Sequence, residues 1–319
     1  MSNAFSKPAE NSASFLKRFW IYQRERFPVF GHGPLVAAFS FSAIAYSRIC
    51  RGAEGFVPWD RYVIGIITTI TLFLLVRIFD EFKDREEDAQ FRPELPVPRG
   101  LVTLRELAVV GIVVAVIQIV LNAVFFPKMF LIYCIVIGYL LLMGKEFFVS
   151  KWLKKHQFWY VTSHMLIIPL VDIYASGLDW LVEGAAAPKG LIFFFIVSFF
   201  NGIVLEIGRK IRAPEKEAEG VVTYSSMHGP VKATWMWLGI LLVTLGWAVT
   251  ASWFAGYGQT GFLVMGIVFL VCALPAVLFL RKMTAKRAKL IEYASALWTI
   301  AMYLSLGGIP MITALMHRN

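Results

Sequence analysis

Nine runs of nearly uninterrupted apolar residues, separated by short polar or charged stretches, set the pattern of this chain. Each run is close to the roughly 20 residues that an α-helix needs to cross the hydrocarbon core of a bilayer. The expected spans are 34–51, 60–80, 104–124, 128–147, 158–178, 190–209, 231–254, 260–280 and 291–315. Ahead of them, residues 1–14 are polar, lack the apolar core of a signal peptide and read as disordered. From Phe15 to Phe27 the chain mixes aromatics with Lys17, Arg18, Arg24 and Arg26, which suits a helix lying in the membrane interface. The pattern predicts an all-α membrane protein. Residues 1–33 form an arm with an interfacial amphipathic helix, and residues 34–319 form one nine-transmembrane-helix bundle.

Composition fits this architecture. Of 319 residues, 58% are hydrophobic and 16% charged, where a soluble protein carries about 25% charge. The net charge of +10 is unevenly placed. With the N-terminus inside, 25 of the 31 Lys and Arg residues fall on the arm and on the connections after spans two, four, six and eight. Only Arg48, Arg51, Arg61, Lys128, Lys189 and Arg318 fall on the other side. Basic residues gather on cytoplasmic loops, so the N-terminus is expected in the cytoplasm and the C-terminus outside. The positive charge is thus a topology signal, and no nucleic-acid partner is expected. Cys50, Cys134 and Cys272 sit in apolar runs without metal-ligand spacing and read as buried thiols.

The stretch Arg77–Gly100, RIFDEFKDREEDAQFRPELPVPRG, breaks the apolar monotony at the end of span two. It places six carboxylates between Asp80 and Asp88, followed by Arg92, Arg99 and Arg105. Charges this dense are costly in lipid, about 2.5–3.5 kcal/mol each on insertion scales, so they belong at a helix mouth facing water or an aqueous cavity. Asp80, Asp84 and Asp88 recur at every fourth position, so a continuing helix stacks them on one face. Mg²⁺ suits such a stack, because it takes oxygen ligands and is commonly shared between carboxylates and substrate phosphates. A second charged segment closes span six on the same side, with Glu206 and then Glu215, Glu217 and Glu219. The two segments lie about 126 residues apart. That register sets Lys83 on Arg209 and Asp80 on Glu206, a hint of an internal repeat of four-helix units.

Nine spans with polar motifs after spans two and six resemble the UbiA superfamily of intramembrane prenyltransferases. The family's first motif, Asn-Asp-x-x-Asp-x-x-x-Asp followed by a basic residue with Pro and a Pro-x-Gly turn, is similar to Asp80-Glu81-Phe82-Lys83-Asp84-Arg85-Glu86-Glu87-Asp88, Arg92-Pro93 and Pro98-Arg99-Gly100. Asp84 and Asp88 match, Glu81 replaces an Asp, and Asp80 stands where Asn is usual. The second motif departs from the family. Gly220-Val221-Val222-Thr223 fits its ending, yet the aspartate positions four and eight residues upstream of the glycine hold Lys216 and Arg212. Either the nearby glutamates supply metal ligands in a shifted register, or Arg209, Lys210, Arg212 and Lys216 contact a diphosphate directly. The second is preferred, since guanidinium groups bind phosphate bidentately.

The resemblance implies a Mg²⁺-dependent prenyltransferase that joins a prenyl diphosphate to an aromatic or lipophilic acceptor at the cytoplasmic rim of the bundle. The expected catalytic and metal residues are Asp80, Glu81, Asp84 and Asp88, with Glu206 as a further ligand. Lys83, Arg92 and the bases after span six would hold the diphosphate. Tyr139, Lys145, His164, Asn201 and Tyr224 are candidates for substrate contact, and His164 with Asp172 is an intramembrane ionisable pair. The alternatives are a terpene cyclase of the same family, a phosphoribosyl-type transferase acting on a lipid phosphate, and a transporter. Transporters place functional charge near the midplane, whereas this cluster lies at one membrane face.

Overall fold

The computed structural model describes residues 13–316, and every regular element among them is helical. Nine of the described helices are long and apolar enough to cross a membrane: Val29–Cys50, Trp59–Lys83, Leu104–Phe125, Pro127–Gly144, Gln157–Trp180, Leu191–Arg209, Pro230–Phe254, Gly258–Arg281 and Ala285–Thr313. They are called spans one to nine. The polar lead expected to be disordered falls, through residue 12, outside the described residues, as do residues 317–319.

Three boundaries differ from the sequence pattern, each for a local reason. Span one begins at Val29, inside the stretch expected for the arm, with Pro28 just ahead of its first turn. Span five is two helices, Gln157–Met165 and Ile167–Trp180, joined at Leu166. Pro169 lacks the N–H that would bond the Met165 carbonyl one turn back, so the ladder is interrupted there. Span nine starts at Ala285, where Thr284 caps it by accepting from the Arg287 N–H. Farther along it widens into a π-turn at Leu304–Gly308 that packs on span one. A Cβ on Gly307 would stand 2.2 Å from the Ser42 carbonyl oxygen, so only glycine permits this backbone approach.

Spans one, five, six and nine form the centre, with span two against one and five, and spans seven and eight closing the side beside six and nine. Span six has 56% of its apolar window buried and span three only 17%, which separates core from perimeter. Span three turns Ile112, Val116, Val120 and Val124 outward, and span eight does the same with Phe262, Ile267, Leu270 and Leu274. These apolar faces without polar interruption suit contact with lipid tails.

The bundle end away from the acidic stretch is closed by a charge network. Buried Asp179 accepts from Ser47 Oγ at 2.8 Å, Arg48 Nη1 at 2.9 Å and Arg51 Nη2 at 2.7 Å. Glu183 takes Arg48 Nη1 at 2.9 Å and Arg61 Nη1 at 3.1 Å. Three of the basic residues set apart by the charge census are thus neutralised within the protein. Removing one partner from a buried pair strands the other charge, at a cost of about 3–5 kcal/mol. Asp179→Asn is therefore expected to lower unfolding stability in detergent by about that amount, measured by equilibrium unfolding. A change below about 1 kcal/mol would show that water screens the network.

Candidate functional site

The acidic stretch folds as a helix end followed by a kink. Span two ends at Lys83, Asp84 leaves helical geometry at φ −92°, ψ 8°, and a short helix resumes over Arg85–Phe91. The Asp84 N–H still reaches the Asp80 carbonyl, and the Asp88 N–H reaches that of Asp84, both at 2.8 Å. The backbone turn persists while the side chains part into two groups. Glu81 and Asp88 point inward and are buried. Asp80 and Asp84 stay half-buried at the mouth.

The inner group is ion-paired. The helix Phe15–Arg26 lies across the stretch and presents Arg26, whose Nε is 2.6 Å from Glu81 Oε1 and whose Nη2 is 3.4 Å from Asp88 Oδ2. Arg77 Nε also lies 3.4 Å from Glu81 Oε1, and Arg92 Nη1 lies 3.4 Å from Asp88 Oδ1. Tyr22 donates its hydroxyl to Glu81 at 3.4 Å. Burial, and then the charge of Glu81, push the Tyr22 phenol up, so it remains a donor. The same helix is pinned by Arg18 to the Leu101 carbonyl at 2.8 Å and by Glu25 to Arg99 at 2.7 Å. Leu16 and Trp20 face outward, so the helix has both a protein-bound side and an open apolar side. Its docking onto the motif has no signal in residue spacing.

The outer group is less provided for. Asp80 has Lys83 Nζ at 3.2 Å and Arg77 at 3.7 Å, and Asp84 has Lys83 Nζ at 3.9 Å. Burial, with Asp80 and Asp88 adding to it, pushes the Asp84 carboxyl up to about 6 against the pull of Lys83. No group of three or more His, Cys, Asp or Glu among the described residues is placed to hold a metal ion by itself. Mg²⁺, however, is usually held by one or two carboxylates, with water and substrate phosphates completing its shell. Asp80 and Asp84 fit that role. Glu81, Asp88 and Glu206 are instead buried against guanidinium or ammonium groups, whereas Asp80 and Asp84 are open at the mouth.

At the end of span six, Glu206 is buried between Arg209, whose Nε is 2.8 Å away, and Lys210, whose Nζ is 2.6 Å away. Lys83 and Asp80 repeat this acid-then-base pair, three residues apart, at the end of span two. Arg209 lies within electrostatic reach of Asp80, so the two ends face one shared space. The loop after span six is held by its own glutamates: Glu217 accepts from Thr223 Oγ1 at 2.8 Å, and Glu215 from the Ala285 N–H at 3.1 Å. Thr223 caps the short helix Tyr224–His228. Arg212 and Lys216 are exposed at the rim. Gly220 sits at φ +75° with its Cα face against Phe91, where a Cβ would come within 2.1 Å of the ring. The two motif loops therefore touch directly.

Span five supplies the wall. Lys83 Nζ donates to the Tyr160 hydroxyl at 3.2 Å, and Tyr160 stacks on His164 at 4.1 Å between ring centroids. His164 Nδ1 meets the Tyr160 carbonyl at 2.8 Å, while its Nε2 has no partner in the protein. Tyr160 was not singled out by the sequence, although it lies one helical turn before His164. Tyr139 is committed to the Ser163 carbonyl at 2.6 Å, and Lys145 is exposed at the end of span four. Tyr224 is buried within reach of Glu206 and Arg209, and burial pushes its phenol up to about 12. His164 and Asp172 do not pair. Asp172 lies about 12 Å deeper along span five, fully buried beside Ser198, and Ser198 and Asn201 in turn neighbour Tyr303.

The raised Asp84 carboxyl has a checkable sign. The folded state holds the proton more tightly than a solvent-exposed aspartate does, so stability present at low pH is lost as pH rises towards about 6. Asp84→Asn lacks this loss. In metal-free detergent solution, its melting-temperature advantage over the wild type is expected to widen between pH 4 and pH 6. A constant difference across that interval would contradict the shift.

Comparison with known proteins agrees with this geometry. The model of the UbiA prenyltransferase family matches residues 38–300. No protein of curated function matches the sequence. The apo structure of a UbiA homologue from Aeropyrum pernix K1 superposes with a TM-score of 0.64 at 13% identity, covering 89% of this chain and 98% of that one. A structure described as digeranylgeranylglyceryl phosphate synthase in membranes gives 0.55 at 15% identity, over 92% and 99% of the two chains. A UbiA homologue from Archaeoglobus fulgidus, bound to DMAPP and Mg²⁺, gives 0.51 at 14% identity, over 85% and 96%. At these identities the structures speak for the fold, while the family match spans most of the sequence. This multi-pass membrane protein belongs to the UbiA prenyltransferase family.

Proposed function

We propose that this chain is a Mg²⁺-dependent intramembrane prenyltransferase that moves an isoprenyl group from a prenyl diphosphate to an aromatic or lipid acceptor. The observation that carries the reading is the grouping of Asp80, Asp84 and Lys83 within electrostatic reach of Arg209, itself paired with Glu206 beside Lys210, at one end of an apolar bundle. An amphiphile with a diphosphate head and a hydrocarbon tail matches that division of charge. The relative solved with DMAPP and Mg²⁺ supports the donor class, and the digeranylgeranylglyceryl phosphate synthase keeps a lipid acceptor in view. The asymmetry of Lys and Arg supports a cytoplasmic N-terminus and an active site at the cytoplasmic face.

In this reading Asp80 and Asp84 hold Mg²⁺, which when bound neutralises charge on the departing diphosphate. Lys83 stands between the two carboxylates and Tyr160, where its ammonium can meet a phosphate oxygen. Arg209 and Lys210 add cations from the facing span, with Glu206 fixing their direction. Arg212 and Lys216 guide the anionic head at the rim. The Tyr160 and His164 rings stand beside the site, where aromatic faces stabilise positive charge on the allylic carbon. Apolar helices below exclude water from that carbon. Ser198 and Asn201, next to Asp172 and Tyr303, form a polar spot inside the bundle that suits an uncharged group on the acceptor.

The test is incubation of purified protein with Mg²⁺ and a panel of prenyl diphosphates, with and without aromatic acceptors. Asp84→Asn is expected to cut diphosphate release by about 10²-fold or more, as loss of a transition-state charge partner does. Full activity in that variant overturns the reading. Hydrocarbon products formed without acceptor would assign the cyclase chemistry instead.

A further inference from the structure

Arg26 lies outside the family match, which starts at residue 38, yet it reaches the most buried part of the acidic motif. Its guanidinium bridges Glu81 and Asp88, at 2.6 and 3.4 Å, and the two carboxylate side chains are 1% and 5% exposed. Three guanidinium groups, from Arg26, Arg77 and Arg92, surround these two carboxylates. The inner group therefore carries a net charge of about +1. Adding a divalent cation there would raise it to about +3 in a dry environment, where like charges repel strongly. Arg77 also reaches Asp80, at 3.7 Å; shared between the two, it leaves the outer group, Asp80 and Asp84 with Lys83, about one charge more negative than the inner one. A divalent cation is favoured there and opposed at the neighbouring buried pair.

We propose that Arg26 is a built-in cation of the first acidic motif: it takes Glu81 and Asp88 out of metal binding and confines the divalent ion to Asp80 and Asp84. The N-terminal helix is then part of the active site, and Arg26 is a positioning residue that acts through the carboxylates it holds. This rests on the prenyltransferase reading for the use of the metal. The sequence supports the same division of labour, since the second motif is also basic where the family carries aspartates. Both motifs have exchanged metal-binding capacity for fixed positive charge. A guanidinium holds two carboxylates at once through its planar fork, whereas an ammonium offers a point charge. Tyr22 adds a donor to Glu81 from the same helix, one turn before Arg26.

The experiment counts Mn²⁺ bound per chain by electron paramagnetic resonance. It uses the full-length protein in detergent with inorganic pyrophosphate. Arg26→Met, which keeps length but not charge, is expected to bind one more Mn²⁺ than the wild type, while Arg26→Lys keeps the wild-type count. An unchanged count in folded Arg26→Met overturns the proposal. Should that variant not survive purification, Glu81→Gln decides in its place. Loss of an ion in Glu81→Gln overturns the proposal. A count kept in Glu81→Gln but lowered by one in Asp84→Asn supports it, and a count kept in both overturns it. Diphosphate release judges the prenyltransferase reading separately. An active chain whose Mn²⁺ count ignores Arg26 sinks this proposal alone, and an inactive chain that gains an ion in Arg26→Met sinks only the reading beneath it.

Discussion

Most buried carboxylates of this bundle are held by cations, and the placing of those cations organises the protein. At one end Arg48, Arg51 and Arg61 neutralise Asp179 and Glu183, fastening spans one, two and five together. At the other end Arg26, Arg77 and Arg92 neutralise Glu81 and Asp88, and Arg209 with Lys210 neutralises Glu206. Asp80 and Asp84 remain with only the nearer arm of Lys83 and a distant Arg77. Within the acidic motif, the chemistry is expected at the open mouth, where these two carboxylates stand less buried than Glu81 and Asp88.

The apolar architecture makes that local imbalance usable. Spans one, five, six and nine pack closely, helped by Gly307 against the Ser42 backbone, and leave lipid-facing sides to spans three and eight. The charged ends of spans two and six then face one another across the mouth, and the Gly220–Phe91 contact holds their loops together. Below the mouth, the break at Leu166 sets His164 and Tyr160 towards Lys83 while Asp172 turns into the core. Ser198, Asn201 and Tyr303 share that core with it. A diphosphate head and an apolar tail have separate, adjoining environments.

Much of this was legible in the residues. Nine spans follow from apolar runs of membrane length, because every lipid-facing position must be apolar and every backbone bond internal. The family was readable from Asp84, Asp88, Arg92-Pro93 and Gly100, whose spacing is local along one segment. What the sequence did not disclose depends on which chain segments meet in space. The FLKRFWIYQRERF stretch reads as an interfacial helix, and its Leu16 and Trp20 fit that, but nothing in its spacing reveals that Arg26 faces Glu81. The every-fourth-residue aspartates predict a single stack, yet the kink at Asp84 divides them between a buried and an open group. Tyr160 was hidden among the many aromatics, and only its contact with Lys83 distinguishes it.

Where a divalent cation sits is read most directly from anomalous diffraction by crystals of the wild-type chain grown with Mn²⁺ and pyrophosphate. Anomalous density is expected beside the Asp80 and Asp84 carboxylates, with Arg26 still bridging Glu81 and Asp88. Density between Glu81 and Asp88, with Arg26 displaced, would contradict it.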